Sequence, residues 1–243
     1  MSDTLSLLEI LHSLHRYVRY SFRTEPDTAS FVKDFAGPGD TCLDIGAHKG
    51  VVTQMMRRQT GAQGKIYAFE PQPELMGWLE RMKKTFGYNN VLLEELALAE
   101  DSGERRLSRR AEFSTGTLAE VEWDERDIIP VDSLSLDQYC ESRGIDDLSF
   151  IKIDVDSFEM PVPEGARRVL EQQNPILLVE IFEGNLEEVS SMLDALGYDE
   201  GAFEYKGKRF LSSETKNVSY RHENARFRNF LFRPANSKES VNG

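Results

Sequence analysis

The chain has 243 residues, 40% of them hydrophobic, enough for one sizeable α/β domain with small additions. Its net charge of −13 disfavours nucleic-acid binding through a broad basic surface, which needs clustered Lys and Arg. Two cysteines, Cys42 and Cys140, make neither a disulfide framework nor a cysteine metal site, and no stretch reads as a membrane span.

Residues 5–22 place Leu5, Leu8, Leu11, Leu14 and Val18 at helical spacing, which predicts an amphipathic helix that packs on the domain or on a partner. Glu9, His12, His15, Arg16 and Arg19 within it rule out a signal peptide, so a cytoplasmic location is the default expectation. A loop over 23–30 and a short helix around 31–35 follow. Gly37-Pro-Gly39 turns the chain into a strand at 41–45. Residues 50–59 read as helix, 65–69 as the second strand, and Pro71 and Pro73 open a helix running to Thr85. The third strand is expected over 91–98. Residues 108–130 are polar and irregular, as substrate-shaping loops of that length often are. Then come a helix at 134–143, an apolar strand at 150–154, a helix at 165–172, a strand at 176–180, and a helix at 187–196 closed by Gly197. A hairpin over 203–210 and a pairing of 217–220 with 226–232 finish the chain.

The alternation predicts a doubly wound, mostly parallel sheet with an antiparallel C-terminal edge. The expected division is an N-terminal helical extension over 1–40, one domain over 41–235, and a disordered tail over 236–243.

Thr41-Cys-Leu-Asp-Ile-Gly-Ala-His-Lys-Gly50, followed by Ile66-Tyr-Ala-Phe-Glu70, has the form of a βαβ unit that wraps a nucleoside. The spacing Asp44-x-Gly46-x-x-x-Gly50 departs from the dinucleotide fingerprint. An acidic residue there would repel a pyrophosphate and suits a ligand with a positive end, such as an amino-acid moiety or a sulfonium. A nicotinamide dehydrogenase is thereby disfavoured. Gly46 and Gly50 permit close approach of backbone to ligand. Glu70 stands where a carboxylate accepts from vicinal ribose hydroxyls. Asp44, Glu70, Asp154 and Glu180 all stand at or near strand ends, on the rim where open α/β sheets bind ligands. His48 reads as a hydrogen-bonded surface group.

Asp44-Ile-Gly-Ala-His-Lys-Gly50, Tyr67-Ala-Phe-Glu-Pro71, Ala97-Leu-Ala99, Leu136-Asp137 and Phe150-Ile-Lys-Ile-Asp-Val155, in that order, resemble the FkbM-type methyltransferases. The resemblance covers roughly residues 41–183 and implies a class I Rossmann-like fold with S-adenosylmethionine as cofactor. It implies that Asp44, Gly46, Ala47 and Gly50 form the turn under the methionine part. Glu70 would hold the ribose, Ala97 and Leu98 would lie near the adenine, and Asp154 would stand by the transferred methyl. After the fourth strand the family's Asp-Val-Glu-Gly-Ala-Glu is here Asp154-Val-Asp156-Ser-Phe-Glu159, and Pro161 and Pro163 interrupt the expected helix start.

The implied activity is methylation of a hydroxyl on a small molecule or saccharide. It calls for a general base, with Asp154, Glu159 and Glu180 the candidates and His222 the weaker one. Two alternatives accompany it. Asp154, Asp156 and Glu180 would hold Mg²⁺ in a metal-assisted variant, or the chain would bind the cofactor without turnover and act as an interaction module. The expected partner is the acceptor, with neither nucleic acid nor membrane, and self-association would run through the N-terminal helix.

Overall fold

In the computed structural model, residues 3–109, 116–117, 128–155, 159–204, 209–212 and 227–235 are described. Helix α1 (Leu7–Arg19) starts at Ser6, whose hydroxyl takes the Glu9 amide while the Glu9 carboxylate returns to the Ser6 amide. It runs into a π-helical turn, Tyr20–Thr24, and then α2 (Pro26–Phe35). Pro26 opens that helix five residues before the expected start, because a proline at the first turn gives up no hydrogen bond.

Then follow β1 (Thr41–Ile45), α3 (Val51–Thr60), β2 (Lys65–Phe69), α4 (Pro73–Phe86) and β3 (Val91–Glu94). The expected single strand over 91–98 is two strands in different sheets. β4 (Ala97–Leu98) leaves β3 at residues 95–96 and joins β5 (Gly103–Arg109), β6 (Gly116–Thr117) and β7 (Ile128–Leu134) in the order β4-β7-β5-β6. Part of the stretch expected to be irregular is therefore a small second sheet, with β5 and β7 antiparallel over six residue pairs.

The chain continues through α5 (Leu136–Arg143), β8 (Leu148–Ile153), α6 (Pro161–Glu164), α7 (Arg167–Gln173) and β9 (Ile176–Phe182). It ends with α8 (Leu186–Ala195), β10 (Tyr198–Glu204), β11 (Arg209–Ser212) and β12 (Phe227–Pro234). The Ser135 hydroxyl caps α5, which moves its start past Leu134.

The main sheet has the order β11-β10-β12-β9-β8-β1-β2-β3. β9, β8, β1, β2 and β3 are parallel; β12 and β10 add an antiparallel edge. β12 lies between β10 and β9, and the pairing partner expected for it at 217–220 falls outside the described residues.

Alternation along the strands sends successive side chains to opposite faces. Leu43 and Ile45 join Leu136, Val169 and Leu193 on one side. Cys42, Ile66, Phe150 and Leu178 pack with Phe31, Val52, Met56, Leu79 and Met82 on the other. Leu5 also belongs to that second cluster, but Leu8, Leu11, Leu14 and Val18 of α1 are exposed, with Leu7 and Phe22 beside them. The face of α1 that meets the domain is the opposite one, carrying Ile10, Ser13 and Tyr17. Arg81 of α4 grips Glu9 at 2.6 Å, Lys84 grips Asp3 at 2.6 Å, and the Leu5 amide donates to Thr85 Oγ1. Among the described residues no helix is long and apolar enough to cross a membrane.

Candidate active site

β1 and β8 lie side by side, with β2 beyond β1 and β9 beyond β8. Their carboxyl ends open into a cavity of about 370 Å³, within the range of small-molecule sites. Of the residues expected from sequence, Gly46, Ala47, Glu70, Asp154 and Glu180 line it.

Gly46 makes the turn possible. Its φ is +80°, and a Cβ there would strike the Asp154 carbonyl oxygen, so only glycine lets β1 leave the sheet this close to β8. Gly50 adopts φ +73° at the start of α3, against Met82 and Leu79. It shapes the turn without lining the cavity.

Glu70 is 3% exposed. One carboxylate oxygen accepts from the His48 amide at 2.8 Å and the other from the Gln72 amide at 3.0 Å. Each oxygen of a carboxylate has two lone pairs, so each keeps one for a further donor. Burial pushes the Glu70 carboxyl up to about 7, against the two amide bonds that favour its ionised form.

Asp44 does not reach the cavity. It is fully buried on the α3 side of the sheet, where Thr53 Oγ1 donates to one of its oxygens at 2.5 Å. Its lateral neighbour in β8 is Lys152, whose ammonium stands 3.5 Å from the other oxygen. Lys152 also contacts Asp154 at 2.9 Å and the Gly46 carbonyl at 3.1 Å. Burial alone would lower the Lys152 ammonium; Asp154 and Asp44 outweigh it, and the net shift is upward. Burial likewise works against Asp154, yet Lys152 and a hydrogen bond with Glu180 hold its carboxyl below the ordinary range. The acidic rim is thus built around one buried cation. Burial outweighs Lys152 and Thr53 at Asp44 and pushes its carboxyl up, and that carboxyl faces Lys152 rather than a ligand.

Ala97 and Leu98 are 3% and 2% exposed, lie in two separate apolar clusters and do not line the cavity. The wall on that side comes from Leu107 of β5. Glu159 is buried, takes the Asn185 amide nitrogen at 3.3 Å and does not line the cavity. Asp156 and His222 lie outside the described residues. Among the described residues no group of three or more His, Cys, Asp or Glu is placed to hold a metal ion.

Sequence reasoning missed Lys152 and the contribution of the N-terminal segment. Lys152 did carry a signal, since a charged residue in an apolar parallel strand needs a buried partner. Arg16, Tyr20 and Glu25 line the cavity from α1, the π-turn and the start of α2. His48 also lines it, with Nε2 buried and unpartnered; burial, Lys49 and Arg16 pull its imidazole down to about 4. His48 is therefore neutral at pH 7.

A family model described as Methyltransferase FkbM domain matches residues 44–207. Among solved structures the chain is similar to methyltransferase FkbM from Methylobacillus flagellatus KT, at 14% identity and TM-score 0.49, over 95% of this chain and 56% of that one. It therefore spans little more than half of that protein. It is also similar to an rRNA methylase from Streptococcus thermophilus, at 11% identity and TM-score 0.52, over 86% of this chain and 94% of that one. At this identity the second likeness concerns the fold alone. A search of curated proteins returned no match.

Proposed function

This chain belongs to the FkbM methyltransferase family, and from that premise we propose that it methylates a hydroxyl on a small molecule or saccharide, with S-adenosylmethionine as the methyl donor. The observation that carries the reading is Glu70. It ends β2 at the cavity, pinned by two backbone amides, with a lone pair on each oxygen for a pair of vicinal hydroxyls. The residues fit the cofactor. Glu70 would hold the ribose, the Gly46–Ala47 turn would pass under the methionine part, and Asp154 would stand toward the sulfonium. When bound, the cofactor supplies an electrophilic methyl group.

The chain's own residues then align an acceptor hydroxyl and take its proton. Alignment of reacting groups is worth up to about 7–11 kcal/mol in well-ordered systems. Asp154 and Glu180 are the carboxyl pair at hand. Asp154, held below the ordinary carboxyl range, is the ionised member available as a base, and loss of a positioned base costs about 10²–10⁴-fold in rate. Lys152 keeps Asp154 ionised and fixes its orientation.

Calorimetry with S-adenosylhomocysteine on the wild type and on Glu70→Ala tests the cofactor assignment. Micromolar binding that weakens at least about tenfold in the variant is expected. Absence of binding to the wild type refutes it. Mass spectrometry of a panel of sugars and small alcohols then reads the acceptor class, and transfer to nitrogen or carbon alone refutes O-methylation.

A further inference from the structure

Beside the cavity just described lies a second one of about 300 Å³, lined by His12, His15, Arg16, Arg19, Tyr20 and Thr24. Arg16 and Tyr20 line both, so the two spaces adjoin. His12, His15, Arg16 and Arg19 recur at three- and four-residue intervals, which puts them on one strip of α1. Among the described residues no carboxylate lines the second cavity, although the chain carries 42 acidic residues against 29 Lys and Arg.

Arg16 is the hinge between the two spaces. Its guanidinium lies 5.7 Å from the centre of the Trp78 ring, and its Nη1 is buried without a hydrogen-bond partner. Lys49 stands close by: burial first, then Arg16, lower the Lys49 ammonium. Two partly buried cations this close are costly unless an anion joins them. The guanidinium fork is suited to oxyanions, which it binds through paired N–H groups.

We propose that this second cavity binds an oxyanion, a phosphate or carboxylate carried by the methyl acceptor, with Arg16, Arg19 and His15 as its ligands and Lys49 as a supporting charge. The proposal rests on the methyltransferase reading and narrows it to acceptors that pair a hydroxyl with an anionic group. The cofactor would sit in the first cavity, lined mostly by residues within 44–207, whereas the second cavity is lined entirely by residues outside that span. The strip continues from Arg16 out to His12, beyond the lobe that Glu70 and Gly46 line, so the cofactor's own carboxylate does not account for it.

The test uses the full chain saturated with S-adenosylhomocysteine, in chloride-matched buffers, with inorganic phosphate as the probe. Phosphate should raise the melting temperature saturably. Its apparent affinity should fall at least about tenfold in the His15→Gln/Arg19→Gln double variant and in Arg16→Gln, and recover in part in Arg16→Lys. The double variant, whose two positions line only the second cavity, should keep its S-adenosylhomocysteine affinity within about twofold of wild type. In the acceptor panel, anionic compounds should be methylated at least about tenfold faster than their neutral parents. No saturable phosphate effect, or faster transfer to the neutral parents, overturns the proposal. So does a loss of S-adenosylhomocysteine affinity in step with phosphate in the double variant, which would give His15 and Arg19 to the cofactor's carboxylate. If the wild type takes phosphate but no S-adenosylhomocysteine, the anion site stands and the methyl-transfer reading falls.

Discussion

Glu70 sets up a conflict between stability and binding that Glu70→Gln exposes. Its carboxyl has a pKa of about 7 in the folded chain, against an unperturbed value of 4.5. A carboxyl raised on folding stabilises the fold fully below its unfolded pKa, and that contribution is lost as pH rises through the folded value. Between pH 5 and 8 the linkage amounts to about 2.5 kcal/mol of lost stability, or about 5–10 °C in melting temperature for a chain of this size. Glutamine cannot ionise, so the variant lacks this slope. It also has one acceptor oxygen for the two amides of His48 and Gln72, which leaves one buried N–H short at a cost of about 1–3 kcal/mol. The variant should therefore be the less stable protein at pH 5 and should draw level with the wild type by pH 8. Differential scanning fluorimetry across pH 5–8, without ligand, reads this directly. The same substitution should weaken S-adenosylhomocysteine about 10–100-fold at pH 8, where the ionised carboxylate accepts best from hydroxyls. Parallel melting curves for the two proteins over the whole range would refute the reasoning.

Lys152→Met leaves Asp44 and Asp154 buried or half-buried without their cation and should cost about 3–5 kcal/mol near neutral pH. The gap should narrow toward pH 5 as the orphaned carboxylates take up protons; a variant as stable as wild type in urea melts at pH 7 would count against the pairing. Gly46→Ala combines a positive φ with a clash on the Asp154 carbonyl and should lose at least about 2 kcal/mol by the same measurement. Self-association through the exposed stripe of α1 predicts that Leu8→Glu/Leu11→Glu lowers the mass in light scattering to that of one chain, with the melting temperature nearly unchanged. A single-chain mass in the unmutated protein excludes it.

The parallel heart of the fold was legible because β1 and β2 are short apolar runs bounded by glycine and proline signals, and both lie where the pattern put them. The second sheet was not. β5 reads Gly-Glu-Arg-Arg-Leu-Ser-Arg, with Leu107 its sole apolar side chain, and β7 contains Pro130, which argues against a strand. Besides their pairing, they share a small apolar cluster of Ala97, Leu107, Ile129 and Val131, drawn from three separate stretches of sequence. Within the site, Glu70, Asp154 and Glu180 could be found because strand ends converge in this class of sheet. Asp44 was misjudged in direction: period-2 alternation sends it under α3, toward Thr53 and Lys152. Arg16 carried no local signal at all. It enters the cavity because contacts some 70 to 80 residues away in sequence, Glu9 with Arg81 and Leu5 with Thr85, fix where α1 lies.

Those same contacts give the chain a particular kind of inheritance. The fastenings of α1 sit on the later turns of α4, at Arg81, Lys84 and Thr85, whereas the beginning of that helix abuts Glu70 through Gln72. Mutation at His12, His15 and Arg19, which line only the second cavity, can therefore accumulate without touching the lining of the first. A lineage could exchange one acceptor for another by rewriting a single helix. On the proposed role of the second cavity, residues 3–24, moved together with those three anchor positions, form the cassette that would carry the preference to a different member of the family.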